Sequence, residues 1–199
     1  MANTWRLRIA GAVALLAFAA MRVDAQIYTA TLNGSSEVPP NPSPGTGTGV
    51  FTLSGDLFTL MVNFSNLTSG TTASHIHCCT AIPFAGTAGV ASQTPSYPGF
   101  PLGVTSGTFN NTFDLSLLSS YNPAFVTANG GTAASAEAAF IAGLNSGHAY
   151  YNIHTQNFPG GEIRGFIVVT PEPASLVLLA TGLLGIGMTV RRRRMTVGS

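Results

Sequence analysis

The sequence predicts an all-β domain carried between two short terminal segments, and three observations support that prediction. Between residues 26 and 170, apolar and polar residues alternate over several short runs, the period of a strand with one buried face. Links rich in Pro and Gly, at 39–49 and 95–101, separate these runs. A single stretch, 132–144, is Ala-rich and followed soon by Gly147, which reads as one short surface helix. Short strands with turn-rich links favour a sandwich or barrel over a doubly wound sheet.

The elements follow in order. Tyr28, Ala30 and Leu32 alternate in a first strand. Phe51 and Leu53 mark a second, which turns through Ser54-Gly55-Asp56 into a third over 57–64; Gly and Asp tolerate the geometry of a tight hairpin turn. Further strands are expected at 73–77, 103–113, 149–154 and 162–169. The Gly-Thr-Gly-Thr-Gly of 45–49 opens no helix and so is not a nucleotide loop.

Charge narrows the function classes. Only 8% of residues are charged, against about 25% in an ordinary soluble domain. Lysine is absent, and seven of the eight arginines lie at the two ends. Between residues 26 and 170, Arg164 stands against Glu37, Asp56, Asp114, Glu137 and Glu162, a formal charge of −4. Phosphate backbones require clustered Lys and Arg, so nucleic acid is excluded as a partner.

The first 25 residues read as a secretory signal: Arg6 and Arg8, then an uncharged apolar run over 9–21, then Val23-Asp24-Ala25 as a cleavage site ahead of Gln26. The run is shorter than the roughly 20 residues of a membrane span. Export places the domain in an oxidising compartment. Sequons at Asn33, Asn63, Asn66 and Asn110 matter only in a eukaryotic secretory pathway. At the other end, Pro171-Glu172-Pro173 precedes an apolar run over 174–190 and then Arg191, Arg192, Arg193 and Arg194. At 17 residues the run is at the short end of what can span as a membrane helix, and the arginines hold its end in the cytoplasm. Proline keeps the triplet extended and open to a processing enzyme. Segment 171–194 resembles the PEP-CTERM sorting signal of Gram-negative bacteria. That resemblance implies an inner-membrane-anchored precursor, processing by an exosortase, and delivery to the cell surface or an exopolysaccharide matrix, among envelope proteins.

The histidines carry the chemistry. His75 and His77 share one strand face with Cα atoms about 7 Å apart, while Ile76 takes the other. In Tyr151-Asn152-Ile153-His154 and Glu162-Ile163-Arg164-Gly165 the isoleucines point inward and the polar residues outward by the same rule. If these strands are neighbours, His75, His77, His154 and Glu162 cluster on one outer face, with Arg164 beside them. They are ligands suited to a divalent transition metal, zinc or copper foremost, with affinity expected to fall below about pH 6.5 as imidazole protonates. A plain hydrogen-bonded polar face, with Glu162 and Arg164 as a surface ion pair, is the alternative. His148, after Ser146-Gly147, reads as a loop residue. Cys78 and Cys79, the only cysteines, could form a vicinal disulfide, chelate beside His77 or bridge two molecules; export favours oxidation.

The same residues carry a second resemblance. His75-Ile76-His77, Tyr151-Asn152-Ile153-His154-Thr155 and Pro159-Gly160-Gly161-Glu162-Ile163-Arg164-Gly165 are similar to motifs of the CHRD domain, known from chordin and from many bacterial exported proteins. Tyr28-Thr29-Ala30-Thr31-Leu32, Glu37-Val38-Pro39-Pro40 and Gly47-Thr48-Gly49 also fit it, so the likeness spans about 26–170. It implies an immunoglobulin-like β-sandwich with a faint likeness to copper/zinc superoxide dismutases, and names no activity. The expectation is an exported surface or matrix module, metal-binding through its histidines. The alternative is a dismutase-like metalloenzyme using the same histidines, although such sites use more histidines and a second metal. No Gly-x-Ser-x-Gly elbow and no Ser or Cys relay occurs, so no catalytic residue is assigned.

Replacing Pro171, Glu172 and Pro173 with Ala is expected to leave the tail uncleaved and the protein at the inner membrane. Electrophoretic size and cell fractionation check this; unchanged processing and location would contradict it.

Overall fold

The computed structural model describes residues 25–171 and 181–183. The signal segment before Ala25 and nearly all of the 174–190 run lie outside these residues, and among the described residues no helix is long and apolar enough to cross a membrane.

Eight strands form the domain: β1 (Gln26–Asn33), β2 (Thr46–Ser54), β3 (Leu57–Ser65), β4 (Thr71–His77), β5 (Gly107–Asp114), β6 (Tyr150–Thr155), β7 (Ile163–Phe166) and β8 (Val168–Val169). They run antiparallel in one sheet, in the order β4-β6-β7-β1-β2-β3-β5, with β8 beside β1. The all-β expectation holds. The expected turn after Ser54 is a two-residue link, since Ser54 pairs with Leu57. Gly55 takes a positive φ there, which glycine adopts without steric cost.

Alternation fixes the register of the first three strands. Tyr28, Ala30 and Leu32 of β1, Phe51 of β2, and Phe58, Leu60, Val62 and Phe64 of β3 face the core. A one-residue slip would turn each of these sets to solvent. The sheet then curls until its inner face meets itself. Tyr151 of β6 packs its ring 5.7 Å from Phe51 of β2, and Tyr97, from the loop before β5, lies 6.3 Å from Tyr151 and 5.0 Å from Phe113. The two edges are joined by backbone: Thr71 donates to Val104 at 2.9 Å and accepts from Gly103 at 2.8 Å.

Two of the expected strands are shorter than alternation suggested. β5 starts at Gly107 rather than 103, because residues 103–105 serve the edge contacts with Leu67 and Thr71. The run 162–169 breaks at Ile167, whose N–H turns to Ala149 while Val168 and Val169 move over to pair with β1.

Two helices flank the sheet instead of the one expected. α1 (Pro123–Ala128) starts with Pro at a position where no N–H is missed. α2 (Ala133–Asn145) matches the Ala-rich stretch: Thr132 caps it, exchanging hydrogen bonds with Ser135 in both directions, a reciprocal cap that satisfies two otherwise orphaned donors. This helix is not merely superficial, since Ala136, Phe140, Gly143 and Leu144 are buried. Phe140 sits edge-on to Phe58 at 5.6 Å and to Tyr121 at 6.1 Å.

Phe140→Ala removes the side chain that docks α2 on the sheet and should cost about 3–5 kcal/mol. A urea unfolding midpoint indistinguishable from that of the parent chain would contradict this packing.

Candidate metal centre

Strands β4 and β6 pair so that His75 stands opposite Asn152, His77 opposite Tyr150 and Ala73 opposite His154. Residues two apart share a face, so the register sets His75, His77 and His154 on one face. Their rings are 5.2–6.0 Å apart, and one nitrogen from each lies within 4.8 Å of the others. The three histidines expected to converge do so.

Each ring is held by a backbone carbonyl from a different part of the covering loops. His75 donates from Nε2 to Pro95 O at 2.7 Å, His77 from Nδ1 to Ala88 O at 2.9 Å, and His154 from Nδ1 to Pro159 O at 2.9 Å. A carbonyl accepts only, so these contacts place the proton and fix each tautomer. The nitrogens left over are His75 Nδ1, His77 Nε2 and His154 Nε2. His75 Nδ1 and His154 Nε2 face each other at 3.3 Å; with both protons spent elsewhere, the two neutral rings present lone pair to lone pair. His77 Nε2 is buried without a hydrogen-bond partner. Burial lowers the pKa of all three, that of His77 to about 4, against the carbonyl contacts that would raise it. The rings are thus neutral at pH 7, the form that binds metals.

The face is not the open outer surface that alternation alone suggested. His75 is buried, and His77 and His154 are half-buried. Asn152 and Arg164 are buried too. Arg164 lies over the Tyr150 ring at 4.6 Å, and that ring stacks in parallel on His77 at 4.8 Å. Its guanidinium also donates to Ser36 O and, at 3.1 Å, to Gly86 O. Its acidic partner is Glu37, 3.8 Å away and also buried, not Glu162. Burial pushes the Glu37 carboxyl up to about 7, although Arg164 opposes the shift.

Glu162 does not join the histidines. It is fully buried; Oε1 accepts from Ser43 Oγ at 2.6 Å and Thr68 N at 2.7 Å, and Oε2 accepts from Thr155 Oγ1 at 2.6 Å. Thr155 shares its face with Ile153, so this carboxylate turns to the core side and ties three segments together. Strand β7 begins only at Ile163, and alternation does not extend back through Gly161, whose φ is +129°. His148 lies in a loop outside the cluster, as expected, but it is half-buried and not exposed, its ring contacting Thr80 O. Cys78 and Cys79 are bonded to each other. Their sulfurs lie against Gly143 of α2, where a Cβ would collide with them.

Sequence reasoning passed over Glu37 and Tyr150 as members of this region. Glu37 falls in a Pro-rich link with no period to orient it, and Tyr150, although alternation sets it on the face of Asn152 and His154, is no metal ligand of the kind sought there. The clue to both was Arg164, a lone arginine in a domain otherwise without cations, which needed a buried partner.

Glu162→Ala leaves three donors without an acceptor in the interior and should destabilise the fold by several kcal/mol, at about 1–3 per orphaned group. Metal uptake by the folded fraction should stay as in the parent chain; uptake lost with stability intact would make Glu162 a ligand.

The comparisons with known proteins come to the same region. The CHRD domain profile matches residues 28–167, beginning and ending on fully buried core residues, Tyr28 and Ile167. The PEP-CTERM protein-sorting motif matches residues 169–194, which marks the chain as an exported, sorted protein. No curated protein and no solved structure matches the chain. Since the first match covers most of the chain and takes in all three clustered histidines, the chain belongs to the CHRD domain family.

Proposed function

We propose that this protein is an exosortase-processed module of the bacterial cell surface or extracellular matrix, and that its domain binds a divalent transition metal, copper or zinc, through His75, His77 and His154. The single observation behind the metal reading is the facing pair of unprotonated nitrogens, His75 Nδ1 and His154 Nε2, at 3.3 Å, with His77 Nε2 unpartnered beside them. Two lone pairs repel at that distance unless a cation lies between them. The outer nitrogen of each ring is anchored to a carbonyl, the supporting shell that orients histidine ligands and sets their basicity. An all-imidazole set favours copper or zinc over calcium, magnesium or manganese, which prefer oxygen.

The sorting reading rests on the match to the PEP-CTERM motif. After removal of the signal over 1–25, the precursor is held in the inner membrane by the apolar run over 174–190 until an exosortase acts. The curled sheet suits the immunoglobulin-like sandwich that the family likeness implies. A second reading has one observation in its favour. Three nitrogens leave a position open on a four-coordinate ion, as in catalytic rather than structural sites. A copper-loaded protein that consumed superoxide would establish that reading.

Calorimetric titration of zinc and copper into the protein tests the site. Binding should be lost in the double variant His75→Ala, His77→Ala. The histidine pKa values are lowered, so the rings stay unprotonated as the pH falls through the ordinary imidazole range near 6.5. Affinity should therefore hold past pH 6.5 and decline at lower pH as the three rings protonate, His77 with its pKa at about 4 among them. An absence of binding at neutral pH, or equal binding by the double variant, would refute the reading.

A further inference from the structure

We propose, resting on the metal reading above, that the ligand completing this centre is anionic: a carboxylate or small oxyanion bound at the metal's open position. The argument begins with charge. Every donor the protein offers is a neutral imidazole. The carboxylates that could offset the ion are committed elsewhere, Glu162 to Ser43, Thr68 and Thr155, and Glu37 to Arg164. Both cysteine sulfurs are taken up in their disulfide. A divalent ion held here keeps its full double charge, in a partly buried setting where charges are weakly screened.

Behind His77 the column of Tyr150 and Arg164 adds positive potential. The guanidinium lies 4.6 Å from the Tyr150 centroid, and the Tyr150 and His77 rings are 5° from parallel. Geometry supplies the opening. The 3.3 Å between His75 Nδ1 and His154 Nε2 matches one edge of a tetrahedron with metal–nitrogen bonds of about 2.0–2.1 Å. Three protein donors fill three corners. Among the described residues the cluster offers no fourth His, Cys, Asp or Glu donor, so the fourth corner is left to an outside ligand.

The rest of the domain is acidic, with a formal charge of −4 over residues 26–170, and repels anions. Recognition is therefore conditional on the metal, and the metal-free protein should ignore the same ligands.

The test uses the full chain in detergent, loaded with cobalt(II), whose visible bands report its coordination. Azide should shift those bands saturably. Acetate and inorganic phosphate should each reverse the shift, raising the apparent Kd of azide at least about tenfold, equivalent to about 1.4 kcal/mol. Metal-free protein should show no azide or acetate binding by calorimetry. Cobalt bands that none of the three anions moves would overturn the anionic ligand while leaving the metal site standing. An azide shift that acetate and phosphate do not reverse would overturn the oxyanion class. Failure to take up cobalt, zinc or copper at all would remove the site and this inference together.

Discussion

The burial of Arg164 is the constraint on which this end of the molecule depends. A cation removed from water is costly unless charge and hydrogen bonds replace its hydration. Arg164 recovers these from four directions: Ser36 O, Gly86 O, the Glu37 carboxyl and the Tyr150 face. The carbonyls belong to two different connections, the turn after β1 and the loop after β4. Satisfying one guanidinium thus pins both connections over the strands, and Ala88, two residues from Gly86, holds the His77 ring. The placement of the His75 and His77 rings, both held by carbonyls of the loop after β4, follows from the order of that loop.

The sheet has two halves with different physics. In β1, β2 and β3 the residues alternate between core and solvent, as in an antiparallel sheet with one wet face. In β6 and β7 nearly every residue is buried, because loops cover the face that would otherwise be wet. Polar residues on the covered face must find partners inside the protein. Most do: the Glu162 carboxylate takes three donors and Arg164 takes two carbonyls. The inward nitrogen of His77 does not, nor do Glu37 Oε1 and Asn152 Oδ1.

The vicinal disulfide sits at the seam between sheet and helix. Cys78 follows His77 directly and is buried, Cys79 is exposed, and both sulfurs meet α2 at Gly143. A residue larger than glycine there would force the helix away from the end of β4. The helix, the disulfide and the histidine strand therefore share one close contact, which couples the packing of α2 through Phe140 to the position of His77.

Period-two alternation by itself determined the all-β class, the β2–β3 hairpin with its turn at Gly55, and the shared face of His75 and His77, because these depend on neighbours in the chain. Helix propensity placed α2, while its cap at Thr132 came from the structure. The C-terminal segment was legible as a sorting signal from its Pro-Glu-Pro triplet, apolar run and arginines taken together. Tertiary structure decided what local pattern cannot carry. It paired β4 with β6, and so brought His154 to His75 across 79 residues of sequence. It broke the last strand at Ile167 and turned Glu162 from the expected face to the core, since Gly161 interrupts the alternation just ahead of it. It also gave Arg164 to Glu37 instead of Glu162, because two buried charges pair by proximity in the folded chain and not by distance along it.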